Sequence, residues 1–258
     1  MDVESRQDAI LGLLRAQDRA DVEDLARHFD VSTQTIRSDL RDLADSGLVA
    51  RIRGGARRIN SASNQAYAER RKLNATEKEA LGALAASLIP DNCSVTLNIG
   101  TTTEQVARAL SEHRDLVVLS NNINIINMLM GTRTKELILV GGTVRQSDGA
   151  IVGEQAVDFI SRYKVDFAVI GASSIDADGA VLDYDAREVS VARAILRNSR
   201  CRILVSDGSK FDHTAQVRIC DISELDYFIT DTPPPAEFAE AAARHNTRIL
   251  ILGGGDAI

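Results

Sequence analysis

Hydroxyl, amide and guanidinium side chains recur along residues 33–41, where the pattern predicts a helix. Ile36, Leu40 and Leu43 recur at helical spacing, so one face of this helix can pack on its own domain. The polar candidates are Thr33, Gln34, Thr35, Arg37, Ser38 and Arg41. Gln and Arg can each form paired hydrogen bonds with a base edge, so the helix has the composition of one that enters the major groove of DNA. An exposed helix of an ordinary three-helix bundle would carry similar residue types.

An arginine cluster without acidic residues follows this helix. Its members are Arg51, Arg53, Arg57 and Arg58. Arginine binds phosphate without reading sequence, so we expect the cluster to contact the DNA backbone. The net charge of the chain is −7, which alone would disfavour a nucleic-acid partner. The local distribution of charge matters more than the sum, and here it favours DNA.

A second set of candidate residues could bind an anion. Residues 100–103 follow an apolar run and open a predicted helix, so backbone N–H groups and hydroxyls would face one ligand. These residues are Gly100, Thr101, Thr102 and Thr103. Lys210 lies in a loop after another predicted strand and could supply a cation. We therefore expect a phosphate site at the carboxyl edge of a parallel sheet. The spacing of Thr101 and Glu104 also fits a capping box, which would satisfy the same N–H groups internally.

The elements that carry the first set can be predicted from hydrophobic spacing. Residues 5–16 and 22–29 predict two short helices, and a third begins after Ser32, whose hydroxyl can cap it, and ends at Gly47. Two short strands around a glycine turn at residues 54–55 then predict a wing. We therefore predict a winged helix-turn-helix DNA-binding domain over residues 1–59.

A larger domain is predicted to follow a linker. The polar run after residue 59 has too little apolar surface to fold alone, and we place the linker at residues 60–75. From Ser94 onward β-rich runs alternate with helical segments, which predicts a parallel-sheet α/β domain over residues 76–258. The predicted strands are Val95–Ile99, Leu116–Leu119, Leu137–Val140, Phe167–Ile170, Ile203–Val205, Tyr227–Ile229 and Ile249–Leu252.

Composition excludes several other classes of protein. No apolar run is long enough to span a bilayer and the N-terminus lacks a signal-like core, so we expect a cytoplasmic protein with no membrane partner. The three cysteines and four histidines are scattered without metal-ligand spacing. We therefore expect free thiols, no metal and no cofactor.

Two motifs stand close together in the N-terminal part: Val31-Ser32-x-x-Thr35-Ile36-Arg37-x-Asp39-Leu40 and Arg51-x-x-Gly54-Gly55-Ala56. Together they resemble the signature of the DeoR-type bacterial repressors. The resemblance continues through Ile99-Gly100-Thr101-Thr102, Ser120-Asn121-Asn122, Gly141-Gly142, Gly149-Ala150-Ile151-Val152-Gly153, Asp207-x-Ser209-Lys210 and Thr230-Asp231, and so covers nearly the whole chain. The chain departs from the family at Ser38, where a second arginine is usual, and at Arg53, where a histidine is usual. One cation is thereby removed from the recognition helix and one is added to the wing.

The resemblance implies a repressor of a carbohydrate or glycerol catabolic operon. Such a protein binds double-stranded operator DNA as a homo-oligomer and is released by a phosphorylated metabolite, here foremost glycerol 3-phosphate. The family also implies a Rossmann-like sensor fold of the sugar-phosphate isomerase type. It adds Asn121, Asp207 and Glu188 to the expected effector pocket.

Two other functions remain open from the residues alone. The chain could be an isomerase of phosphorylated sugars, with Asp183, Asp185, Glu188 and Lys210 as acids and bases. No spacing fixes these residues in a catalytic geometry, and an isomerase has no use for a winged helix, so we do not expect an enzyme. A nonspecific architectural DNA protein would leave the larger part of the chain without a task.

Overall fold

The computed structural model describes residues 3–17, 19–45, 49–52, 54–58 and 67–254. The chain forms two compact units, Met1–Ser61 and Ala62–Ile258. The fold class predicted from the sequence, a helix-turn-helix unit followed by a parallel-sheet α/β unit, is confirmed.

The first unit combines three helices with a small antiparallel sheet. Its elements are α1 (Val3–Gln17), β1 (Arg19–Asp21), α2 (Val22–Phe29), α3 (Thr33–Asp45), β2 (Val49–Ile52) and β3 (Gly55–Arg58). The strands pair in the order β1-β3-β2. The sequence pattern predicted the three helices and the β2–β3 wing but not β1, which has only three residues and no apolar alternation. The wing strands β2 and β3 thus belong to a three-stranded sheet in which β3 is central.

Helix α3 is fixed by a cap and by a buried stripe. The Ser32 hydroxyl accepts a hydrogen bond from the Thr35 amide at 3.1 Å, as its predicted capping role requires. Ile36, Leu40 and Leu43 are buried in one core with residues of α1 and α2. A spacing of four and three residues places these side chains on one helical face, so the opposite face stays outside the core.

A buried ion pair joins α1 to α3. The Arg6 guanidinium donates from Nε to Asp39 Oδ2 at 2.6 Å and from Nη2 to Asp39 Oδ1 at 3.1 Å. Both residues are almost fully buried. A two-point contact of this kind fixes the orientation of one helix relative to the other.

The second unit is built on a seven-stranded sheet, within residues 67–254, in the order β15-β14-β12-β9-β4-β5-β6. All neighbours in this sheet are parallel. The strands are β4 (Ser94–Leu97), β5 (Val117–Ser120), β6 (Glu136–Leu139), β9 (Val165–Ile170), β12 (Ser199–Val205), β14 (Tyr227–Thr230) and β15 (Arg248–Ile251). Every one of the predicted strands is therefore present in the sheet.

Helices flank this sheet, which lies between two apolar cores. They are α4 (Tyr67–Lys72), α5 (Ala75–Ser87), α6 (Thr101–Ala109), α7 (Ile123–Leu129), α8 (Glu154–Ile160), α9 (Ala186–Arg197) and α10 (Ala236–Arg244). Along β9, Ala168 and Ile170 enter the core that contains α8, α9 and α10, whereas Val169 enters the core that contains α5, α6 and α7. Because successive strand residues point to opposite faces, each face of the sheet has its own helical layer.

Two smaller sheets were not predicted. One is a hairpin of β7 (Val144–Arg145) and β8 (Ala150–Ile151), and the other joins β10 (Ser174–Ile175), β11 (Ala180–Asp183) and β13 (Val217–Asp221). Their strands are too short for a periodic signal.

The order of the large sheet reverses between β4 and β9. From β4 the chain proceeds to β5 and β6 on one side, and from β9 it proceeds to β12, β14 and β15 on the other. The loops that follow β4 and β9 consequently diverge. Open α/β sheets bind their ligands in the crevice at such a switch point, outside the carboxyl ends of the strands.

The proposed linker, residues 60–75, overlaps the first helices of the second unit. Residues 60–66 lie outside the described residues, but α4 begins at Tyr67 and α5 begins at Ala75. The Tyr67 hydroxyl bonds to Glu104 of α6, which makes α4 a part of this unit. We therefore propose that the second domain begins at Tyr67 rather than at residue 76.

The three cysteines lie in the second unit as free thiols. Cys93 and Cys201 are half-buried, and Cys220 is buried. Burial raises the pKa of Cys93 and of Cys201 to about 11 and that of Cys220 to about 12.

Candidate functional site

Helix α3 presents the polar face that was predicted to contact DNA. Gln34, Arg37, Ser38 and Arg41 are exposed, and Thr33 and Thr35 are half-buried. The Thr35 hydroxyl lies 2.9 Å from that of Ser32, so it also serves the helix cap. The exposed face opposite the buried stripe can therefore enter a groove of DNA, as the docking geometry of a recognition helix requires.

The arginines of the wing can be located only in part. Arg51 lies on β2, and Arg57 and Arg58 lie on β3. The two strands are antiparallel, with Val49 opposite Arg58 and Ile52 opposite Gly55. Their side chains, and the whole of Arg53, lie outside the described residues. Their phosphate contacts stay a prediction from the sequence.

A cleft opens at the switch point of the large sheet. Its floor is formed by the loops after β4 and β9, which contribute residues 98–103 and 171–173, and Lys210 follows β12. Of the predicted effector residues, the cleft is lined by Gly100, Thr101, Thr102, Thr103, Glu188 and Lys210. Its cavity volume is about 80 Å³ for the centres of water molecules, several times the ~10–15 Å³ that one water requires. A small ligand therefore has room there.

The N-terminus of α6 faces this cleft. Gly100 occupies the cap position with φ of 143°, a conformation that side chains rarely adopt. The first N–H groups of a helix have no partner within the helix, so those of Thr101 to Thr103 can bind an anion. The Thr103 hydroxyl does not share this role, because it donates to the carbonyls of Asn98 and Gly100 at 2.7 and 2.8 Å.

The capping box that Thr101 and Glu104 could have formed is absent. Thr101 is the first residue of the helix rather than its cap, and no side chain bonds to the cap. The buried Glu104 carboxylate accepts from the Tyr67 hydroxyl at 2.6 and 2.7 Å and from the Asn122 amide at 3.2 Å. The cap of α6 is thus left to a ligand or to solvent.

Cationic side chains line the cleft beside the α6 N-terminus. They are Arg70, Lys78 and Lys210. Lys78 is 4% exposed, and its Nζ donates to the carbonyls of Arg70 and Leu73 at 2.7 Å each. Burial lowers the pKa of Lys78 to about 8. Charge and helix N–H groups together favour an anionic ligand.

Carboxylates line the same cleft. They are Asp148, Asp183 and Glu188. Arg145 bonds to Asp148 at 2.6 and 2.9 Å and also to Glu188. Burial raises the pKa of Asp183 and of Glu188. At Asp148 burial acts in the same direction, but the hydrogen bond and charge of Arg145 together with smaller contributions outweigh it, and the pKa is lowered. Carboxylates accept hydrogen bonds from hydroxyl groups, so the cleft offers acceptors for a polyol beside its cations.

Two predicted effector residues do not line the cleft. Asn121 is fully buried and donates to the Ile151 carbonyl at 3.0 Å, so it ties β5 to β8; its neighbour Asn122 lines the cleft instead. Asp207 is 1% exposed and lies behind the cleft, where it accepts from Asn74 at 3.2 Å. Its charge faces Lys78 and Lys210. Asp207 therefore lies close to these cations, and its predicted contact with an effector stays a prediction.

The sequence interpretation missed Tyr67, Arg70, Lys78 and Asp148. One signal was available, because Lys78 interrupts the apolar face of α5 that Leu81, Gly82, Ala85 and Ala86 continue. A lysine on a buried helical face is rarely left without a function or a partner. The other three depend on contacts between distant segments, for which the sequence gives no local signal.

In the part of the chain that the structure describes, no group of three or more His, Cys, Asp or Glu side chains is arranged to hold a metal ion. Among the same residues, no helix is both long and apolar enough to cross a membrane.

Comparison with known proteins identifies relatives along nearly the whole chain. A glycerol-3-phosphate regulon repressor of Escherichia coli (strain K12) is 40% identical over 246 residues, which cover 95% of this chain and 98% of the relative. One of Haemophilus influenzae is 41% identical over 249 residues, covering 96% and 97%. The HTH-type transcriptional repressor CsqR of E. coli is 34% identical over 95% of this chain and 94% of its own.

Solved structures resemble the chain more distantly. Ribose 5-phosphate isomerase A from Methanocaldococcus jannaschii aligns with a TM-score of 0.39 and 16% identity, covering 53% of this chain and 54% of that one. A tetrameric eIF2B-beta2-delta2 complex from C. thermophilum aligns with a TM-score of 0.49 and 13% identity over 95% of each chain. Likenesses at this level carry no argument about activity.

Family models assign both units. The model of the DeoR-like helix-turn-helix domain matches residues 6–62, and that of the DeoR C-terminal sensor domain matches residues 73–232. Together with the relatives, these matches span the exposed α3 face and the cleft. The chain therefore belongs to the DeoR family, whose helix-turn-helix and sensor domains it carries in that order.

Proposed function

We propose that this chain represses a glycerol or carbohydrate catabolic operon and that a phosphorylated metabolite relieves the repression. The observation that carries the proposal is the cleft at the switch point, in which a helix N-terminus and three cationic side chains meet. A DeoR-like helix-turn-helix precedes it. A chain that combines these two parts can bind double-stranded DNA in one state and a small anion in another, which is the requirement for an effector-controlled repressor. Because the partner is chromosomal DNA, the cytoplasm is its place of action.

Glycerol 3-phosphate is the effector that we propose. Its phosphate would accept hydrogen bonds from the α6 N-terminus and from Lys210, and its hydroxyls would donate to Asp183 and Glu188. The names of the similar repressors support this choice. Charge-assisted bonds to the phosphate are roughly twice as strong as neutral ones, so glycerol itself should bind far more weakly.

Calorimetry tests this proposal directly. We expect glycerol 3-phosphate to bind wild type, with weaker binding for Lys210→Ala and Thr101→Val and none for glycerol. Operator DNA should weaken effector binding by the same factor by which the effector weakens DNA binding, because linkage is reciprocal. Wild-type affinity in both variants would place the ligand elsewhere, and failure of every phosphorylated polyol to bind would refute the effector class.

We further propose that the cleft is not catalytic. Asp183, Glu188 and Lys210 do meet there, as the isomerase hypothesis required. However, Glu188 is paired with Arg145, and Asp183 accepts from Ser173 and the Tyr184 amide at 3.0 and 2.7 Å. A carboxylate held in this way is a poor base for substrate protons. We expect no turnover of ribose 5-phosphate; measurable isomerisation that Glu188→Gln abolishes would contradict this.

A further inference from the structure

Helix α4 forms one wall of the cleft. Tyr67 and Arg70 of this helix, and Leu73 just beyond it, line the cavity together with the α6 N-terminus. In the sequence, only residues 59–66 lie between α4 and the last strand of the DNA-binding unit. A ligand in the cleft would thus touch the sensor element that is nearest along the chain to the DNA-binding unit.

Polar bonds rather than apolar packing hold α4 in place. The Tyr67 hydroxyl donates to the Glu104 carboxylate and accepts from the Asn124 amide at 2.9 Å. Lys78 holds the carboxyl end of α4 through its two carbonyl bonds. None of the described α4 side chains is fully buried, and Leu73 is 43% exposed. An element with so few buried apolar contacts can shift at low cost.

Arg70 is the α4 residue best suited to bind the ligand. Its Nη2 lies 4.0 Å from the nearest Asp148 oxygen, and that carboxylate already accepts two bonds from Arg145. The Arg70 Nε is buried and has no hydrogen-bond partner among the described residues. A buried donor without an acceptor is unfavourable, and phosphate accepts from guanidinium through two parallel bonds.

We propose that Arg70 binds the effector phosphate and that α4 therefore reports whether the cleft is occupied. The inference rests on the proposed effector function and extends it to regulation. Occupancy draws Arg70, and with it α4, toward the α6 N-terminus. The Tyr67–Glu104 bond holds α4 in the position described here, so the two contacts favour different positions of the same helix. The effector changes the affinity for DNA because it binds more tightly when α4 is in one of these positions than in the other.

The test compares Arg70→Gln with Lys72→Gln, an equal loss of charge at an exposed position on the same helix. Glycerol 3-phosphate and inorganic phosphate are titrated by calorimetry, and operator release is followed by fluorescence anisotropy. Arg70→Gln should bind operator normally, bind both ligands about tenfold more weakly or worse, and fail to release DNA at concentrations that release wild type. Lys72→Gln should behave as wild type.

Tyr67→Phe separates positioning from binding. This variant keeps Arg70 but loses the Tyr67–Glu104 bond, so the factor by which operator DNA weakens effector binding should fall, whatever its affinity for the effector alone. If wild type responds and Arg70→Gln binds and responds equally, the role of Arg70 is refuted and the proposed function stands. If wild type binds neither ligand, both are refuted.

Discussion

Arg37 is the side chain on which we expect the recognition of operator sequence to depend most. It is exposed on α3, where the departure at Ser38 leaves fewer cations than the family usually has. We expect Arg37→Ala to weaken operator binding by about 1 to 3 kcal/mol and random DNA by much less. Arg57→Ala on the wing should instead weaken both alike and reduce the salt slope by about 1. Salt titrations of fluorescence anisotropy measure both, and equal losses on the two DNAs for Arg37→Ala would contradict the assignment.

We expect the buried Lys78 to make the affinity of the cleft for a phosphorylated ligand depend on pH. Burial lowers its pKa to about 8; Lys210 and Arg70 act in the same direction, and Asp207 and Glu77 oppose them. A dianion binds best to the protonated amine, so affinity should be full below pH 8 and fall as the pH rises through 8. The phosphate stays dianionic there, because its second pKa is about 6.

Calorimetry with glycerol 3-phosphate between about pH 7 and 9.5 should show a loss of about tenfold in wild type, the size of one charged hydrogen bond. Lys78→Met should bind weakly with a flat profile. A variant that kept the wild-type slope would exclude Lys78 as its origin.

At the scale of elements, the Arg6–Asp39 pair anchors the recognition helix to α1. Asp39→Ala leaves the Arg6 charge buried without its carboxylate, so we expect a loss of about 3 to 5 kcal/mol in the free energy of unfolding of the first unit. Urea denaturation of the full chain, followed by circular dichroism, measures this loss.

The matched control is Asp24→Ala, which removes the exposed Asp24–Arg27 pair of α2. Exposed pairs contribute at most about 1 kcal/mol. Similar losses for the two variants would mean that α3 is fixed by its apolar stripe alone.

The elements that follow strong apolar patterns were predictable from the sequence. The seven strands of the large sheet coincide with apolar runs, and Ile36, Leu40 and Leu43 mark α3 by spacing alone. The elements that were missed lack such patterns: β1 has three residues, and α4 is mainly charged. Glu104 and Lys78 both form hydrogen bonds with α4. Contacts of this kind leave no periodic pattern in the sequence of the helix itself.

At the scale of the whole molecule, one helix-turn-helix unit contacts few base pairs. Specific binding therefore requires two copies of the chain on two operator half-sites. We expect the full chain to sediment as a dimer or larger at micromolar concentration, through the sensor unit. A monomeric mass together with specific operator binding would contradict this. Changing the spacing between the two operator half-sites by a non-integral number of helical turns should weaken binding only if one oligomer binds both half-sites.

The sequence allowed only part of the cleft to be predicted. The loops at residues 100–103 and 206–210 follow strands of one parallel sheet, so their meeting follows from topology. The wall formed by Tyr67 and Arg70, and the carboxylates at Asp148 and Asp183, come from segments whose approach depends on tertiary packing. Asn121 and Asp207 belong to segments that meet at the cleft but are not among its lining residues, because the resemblance indicates which segments meet and not which way each side chain points.

The raised pKa values of Cys93, Cys201 and Cys220 have a practical consequence for labelling chemistry. Only the thiolate reacts with maleimides and iodoacetamides, and a pKa of about 11 leaves about one thiol in ten thousand ionised at neutral pH. The native cysteines should therefore alkylate slowly and need no replacement. A cysteine introduced by Lys72→Cys, at an exposed site, would react far faster. A fluorophore there could follow α4 in the unaltered background as ligand enters the cleft.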